Sequence, residues 1–155
     1  MSVSNENKQT ELKFAVGNIC LSIKTKHPDI IRKIKTHYND FISNQTPDLH
    51  IEVEYKNILT LRRKTPFLET RSWKVYKEKG CLVFNFPRRN ISTIVQLNKK
   101  LNRIKFYTKD PSCQLLLYLF PEILFSLVLP KYYGLMLHAC GVIHRGKGYL
   151  FIAAD

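Results

Sequence analysis

Apolar residues recur at strand or helix spacing along most of the chain. Leu12–Val16 and Asn18–Ile23 are short apolar segments around Gly17-Asn18, a pair that tolerates positive φ, so they predict a β-hairpin. Pro28 opens a helix that the spacing carries to about Ser43. Ile30, Ile31, Ile34, Tyr38, Phe41 and Ile42 fall on one face of it, with Arg32, Lys33, Lys35 and Asp40 turned to water. Leu49, Ile51, Val53 and Tyr55 alternate with His50, Glu52 and Glu54, the period of a half-buried strand. Residues 56–72 are polar and irregular. Strands then follow at Trp73–Tyr76, Cys81–Phe86, Ile91–Leu97 and Ile104–Tyr107, divided by Gly80, Pro87 and Asn102. The pattern predicts a frayed tail over 1–10 and an α+β domain over 11–110, a mixed or antiparallel sheet with one helix.

The character of the chain changes at Asp110-Pro111, where an Asp cap and a Pro at the first position suit a helix start. Leu115–Leu129 is apolar on most sides, which predicts a buried helix kinked or divided at Pro121 and stopped at Pro130. With Pro121 and Glu122 in its middle, this 15-residue run falls short of a bilayer span. Leu135–His144 then reads as a strand, Arg145–Gly148 as a turn, and Tyr149–Ala153 as a second strand suited to a sheet interior.

Charge adds one outlier to an otherwise ordinary globular composition. The 155 residues carry a formal net charge of +13, of which residues 1–110 hold 22 basic and 10 acidic side chains. Phosphates attract such a surface. The cations are scattered, however (Lys24, Lys26, Arg32, Lys33, Lys35, Arg62, Arg63, Lys64, Arg88, Arg89, Lys99, Lys100), which favours a solvated basic surface over an anionic partner.

Cys20, Cys81, Cys113 and Cys140 form no CxxC and have no nearby CxxH, so no metal site is expected. The polar N-terminus MSVSNENKQT lacks the apolar core of a secretory signal, and thiols of this kind suit the reducing cytosol. Trp73, Tyr76, Phe84 and Phe86 could stack on bases, but their period-two spacing reads as core. Glu52 and Glu54 share a strand side that reads as a solvent face rather than an acid pair.

Leu137-His138-Ala139-Cys140-Gly141-Val142-Ile143, a Gly146-x-Gly148 turn and then YLFIA resemble the segment just before the Walker A loop in HPr kinase/phosphorylase-like proteins. The resemblance is tight over 134–155, looser over 111–133 and one of general layout over 1–110. It implies that an apolar helix and the first β-hairpin of a P-loop kinase core follow the accessory domain, with 111–155 as the incomplete start of that core. His138 would lie near the active site, against the plainer reading of a strand histidine bonded to backbone. Ala153, Ala154 and Asp155 would begin the phosphate-binding loop, Ala153 and Ala154 standing where the family has Gly and often Pro. The family's activity implies ATP, Mg2+ and a hydroxyl acceptor on a protein serine or a small molecule. The glycines, Lys and Ser/Thr of G-x-x-G-x-G-K-[ST] do not occur here, so the resemblance implies a kinase N-terminal portion inactive as it stands, with no cofactor of its own. Lys147 and Arg145 would sit on the turn opposite the loop as solvated cations. The alternatives are a non-enzymatic basic module binding an anionic partner such as RNA, and a remnant reading frame with no stable product.

Overall fold

The structure, a computed structural model, describes residues 10–56, 65–87, 92–137 and 139–152. It is α+β with a mixed sheet, as the hydropathy pattern predicts. The chain divides into two units, Met1–Leu117 and Tyr118–Asp155.

The first unit is built on strands β1 (Thr10–Val16), β2 (Ile19–Thr25), β3 (Leu49–Tyr55), β4 (Leu68–Glu69), β5 (Lys74–Glu78), β6 (Cys81–Pro87), β7 (Ser92–Leu97) and β8 (Arg103–Thr108). Their order across the sheet is β1-β2-β3-β8-β7-β6-β5-β4. β2, β3 and β8 run parallel, and every other neighbouring pair is antiparallel. Helix α1 (Pro28–His37) makes the crossover between parallel neighbours β2 and β3. Six of the seven residues of β2 are buried, as suits a central parallel strand.

Tight turns set the antiparallel registers. Gly17-Asn18 joins Val16 to its partner Ile19, with Gly17 at φ 58°. Lys79 and Gly80, both at positive φ, join Glu78 to Cys81 in the twist that suits a two-residue hairpin. The apolar side of the sheet carries Leu21, Ile23, Ile51, Val53, Ile104, Phe106, Val95 and Phe84, all buried, and α1 buries Ile30, Ile31 and Ile34. Thr93 and Thr108, also buried, satisfy each other across 3.0 Å.

Several elements differ from the sequence reading. α1 ends at His37, and a 3-10 turn follows at Asn39–Phe41. Tyr38 leaves the helical region and stacks on Phe14 at 5.0 Å, so Phe41 and Ile42 finish exposed rather than on a buried helix face. The second helix begins at Gln114, not at Pro111. Asp110 instead accepts from the Ser112 N–H at 2.9 Å, closing a local turn, and Cys113 at φ 53° precedes the first helical bond, Leu117 N–H to Cys113 C=O. A π-helical turn spans Leu115–Leu119, α2 runs Phe120–Val128 through Pro121, and a 3-10 turn holding Pro130 runs Leu129–Tyr132. The helical stretch Leu115–Tyr132 thus reaches 18 residues with mean hydropathy 1.5, long and apolar enough for a bilayer by length and composition alone. It is not apolar all round: Tyr118, Glu122 and Ser126 are exposed.

In the second unit, β9 (Cys140–His144) and β10 (Lys147–Phe151) pair antiparallel around Arg145-Gly146, both at positive φ. The first strand is shorter than expected, because Leu135–Leu137 take no strand pairing. All ten residues of the two strands are exposed, Ile143 at 82%; for the second of them, read as Tyr149–Ala153, the sequence suggested a sheet interior.

Candidate functional site

The alternation that buries one side of the sheet necessarily turns another set of side chains outward. On β1, β2, β3 and β8 that set is charged. One cross-strand row reads Lys13, Ser22, His50, Arg103, and the next reads Glu11, Lys24, Glu52, Lys105. Neighbouring strands lie about 4.8 Å apart, so each row is a close-set ladder. Lys24, His50, Glu52, Arg103 and Lys105 line a shallow groove of about 410 Å³.

The turn before β8 fixes the groove's end. Asn98 Oδ1 accepts from the backbone N–H groups of Asn102 at 3.0 Å and Arg103 at 3.1 Å, and its Nδ2 donates to Asn102 Oδ1 at 2.9 Å. These bonds hold Arg103 at the first position of the strand through its backbone rather than its guanidinium. On the other side, Glu11 accepts from buried Ser22 Oγ at 2.5 Å and lies 3.8 Å from Lys24 Nζ. That hydrogen bond, aided by Lys24 and opposed by partial burial, holds the Glu11 carboxyl below its ordinary pKa. Glu11 is therefore engaged. Among the described residues, the side chains of Arg103 and Lys105 make no hydrogen bond or ion pair, and both are exposed.

A second crevice of about 310 Å³ lies where β2 and β3 end and α1 begins, lined by His27, Asp29, Ile30, Arg32, Lys33, Tyr55 and Pro111. Its polar groups already serve each other. Arg32 pairs with Asp29 at 2.8 Å, Lys33 Nζ donates to the Pro111 carbonyl, and Tyr55 Oη donates to the Lys109 carbonyl at 2.8 Å. Nearby, Lys56 pairs with Glu54 at 2.5 Å and covers the Tyr107 ring. Among the described residues, the open-face groove holds cations without a partner, Arg103 and Lys105, and this crevice does not.

His138, Ala153, Ala154 and Asp155 lie outside the described residues, and so do Arg62, Arg63, Lys64, Arg88 and Arg89. Arg145 and Lys147 are exposed around the hairpin turn. Tyr76, Phe84 and Phe86 are core residues and Trp73 packs on Phe84 at 5.7 Å, so no stacking platform forms from them. Glu52 and Glu54 share the outward side, but Glu54 answers Lys56 rather than its neighbour. All four thiols are free; burial pushes the pKa values of Cys20 and Cys113 up. No group of three or more His, Cys, Asp or Glu side chains suited to a metal ion occurs among the described residues.

Sequence reasoning missed Arg103 and Lys105, because a scattered list of cations conceals which ones share a sheet face. The signal was present in Arg103-Ile104-Lys105-Phe106, where alternation sends both cations outward. Their approach to His50 and Lys24 required the parallel pairing of β8 with β3. No protein-family model, curated protein or solved structure matches the chain.

Proposed function

We propose that this chain is the N-terminal portion of an ATP-dependent kinase related to the HPr kinase group, transferring phosphate to a hydroxyl acceptor in the cytosol. The observation that carries the reading is the hairpin of Cys140–His144 and Lys147–Phe151, whose order and tight turn suit the strand pair that leads into a phosphate-binding loop. Its uncovered apolar side chains, Val142, Ile143, Leu150 and Phe151, are those of strands that pack within a larger core. On this reading residues 11–110 are an accessory domain, His138 stands near the acceptor, and Ala153–Asp155 open the loop.

The 155 residues do not themselves fit Mg-ATP. No glycine-rich turn with Lys followed by Ser/Thr occurs among them, and the one cation of β10, Lys147, stands at its start beside the hairpin turn, with only Gly148, Tyr149, Leu150 and Phe151 beyond it in the strand. The binding loop would have to come from sequence following Asp155, and Mg-ATP, when bound there, would supply the transferable phosphoryl group.

The test is a phosphoryl-transfer assay with labelled ATP on the full product of the reading frame, beside the 155-residue chain. The reading expects ATP turnover and Mg-ATP binding by the former and neither by the latter. A full product that is folded but neither binds nor turns over ATP would end it.

A further inference from the structure

We propose that the open face of β1, β2, β3 and β8 binds the phosphate backbone of single-stranded nucleic acid, with Arg103 and Lys105 as its main contacts. The proposal is independent of the phosphoryl-transfer reading, since it uses only the first unit.

Charge complementarity carries it. Arg103 and Lys105 are adjacent outward positions on one strand, exposed and without partners among the described residues. Lys24 and His50 line the same groove, and Lys13 lies in the same cross-strand row as His50 and Arg103. A guanidinium with free donors beside an ammonium suits phosphate oxygens. Of the two carboxylates in these rows, Glu11 is engaged by Ser22 and Lys24, leaving Glu52 as the one opposing charge between Lys24 and Lys105. The excess of basic side chains over 1–110, 22 against 10, supplies the longer-range field that draws a polyanion toward this unit.

The same face predicts how the ligand is read. The one Phe, Tyr or Trp that β8 turns to this side, Tyr107, is buried with Tyr76, Val83 and Ile94, so among the described residues these strands offer no large aromatic platform for base stacking. Binding therefore runs through phosphates and carries little sequence preference. A single strand can follow the twisted face and bring successive phosphates to the groove, whereas a duplex holds its phosphates on a rigid cylinder.

The experiment is fluorescence anisotropy of a labelled oligouridylate with the 155-residue chain across a salt series. Wild-type binding weakens steeply with salt. The pair Arg103→Glu and Lys105→Glu weakens it roughly tenfold or more at low salt, and the neutral pair Arg103→Gln and Lys105→Gln lowers the salt slope by about 1.4, two contacts at 0.7 each. Glu52→Gln tightens binding. Lys35→Glu with Lys79→Glu, an equal change of charge away from the groove, has a much smaller effect. Absence of binding at low salt overturns the proposal. So does equal weakening by both charge-reversal pairs, or displacement of the oligonucleotide by polyglutamate as readily as by unlabelled RNA, which would indicate an acidic protein partner instead.

Discussion

The hydroxyl of Tyr38 donates to the backbone carbonyl of Leu117. In a regular α-helix that carbonyl would accept from the N–H of the residue four positions on, which here is Pro121 and has none. A proline inside a helix thus creates a vacant acceptor, the π-helical turn at Leu115–Leu119 widens the helix just before it, and a side chain from the segment after α1 fills the vacancy. The ring also stacks on Phe14, so one residue serves a polar and an apolar role.

Tyr38→Phe keeps the stack and removes the donor. The expected loss is about 1–2 kcal/mol of unfolding free energy, the cost of leaving a part-buried carbonyl unpaired. In a Pro121→Ala background the helix regains an N–H and the same substitution costs less. A double-mutant cycle by urea denaturation measures the coupling; strict additivity would contradict the account.

The end of α1 gives a sharper test of where the core lies. Ile34 is fully buried on the helix, whereas Phe41, placed on the same face by spacing alone, is 46% exposed. Ile34→Ala is expected to cost about 2–5 kcal/mol and Phe41→Ala markedly less. Equal losses in chemical denaturation would restore the longer helix.

Acid stability reports on Glu11. Its carboxyl lies below the ordinary value in the fold, chiefly through the Ser22 hydrogen bond. Such a group adds stability that is present above the unfolded pKa, about 4.3, and is lost as pH falls through the lower folded value. Glu11→Gln should therefore destabilise the protein near neutral pH and flatten the fall in stability between about pH 5 and pH 3. An unchanged acid limb would mean that the Ser22 bond contributes nothing.

The thiols separate by burial. Cys140 is exposed, while Cys20 and Cys113 are buried with pKa values raised by desolvation. Ellman's reagent should label Cys140 fast and Cys20 and Cys113 only on unfolding, as read by peptide mass mapping. Rapid labelling of Cys113 in the folded chain would contradict the helix start described above.

Strands and turns were legible where one local rule decided them. Leu49, Ile51 and Val53 alternate, and Gly17 and Gly80 sit where positive φ is needed. β4 was not, because Leu68–Glu69 is a two-residue exposed strand set by its pairing with Lys74–Val75 rather than by its own pattern. The parallel partnership of β2, β3 and β8 is a tertiary choice that no local period encodes. The start of the second helix followed the same logic: Asp110 is equally able to cap a helix or close a turn, and the Ser112 N–H takes it into the turn. The groove inherits this limit. Each cation was visible in the sequence, but their convergence appears only when His50 is set beside Arg103.

The proposed kinase role is tested most directly by reading the coding sequence through and past codon 155. The account predicts a G-x-G-K-[ST] run immediately downstream, in frame or one base off, completing the loop that Ala153–Asp155 open. A downstream sequence without that run in any frame would contradict it.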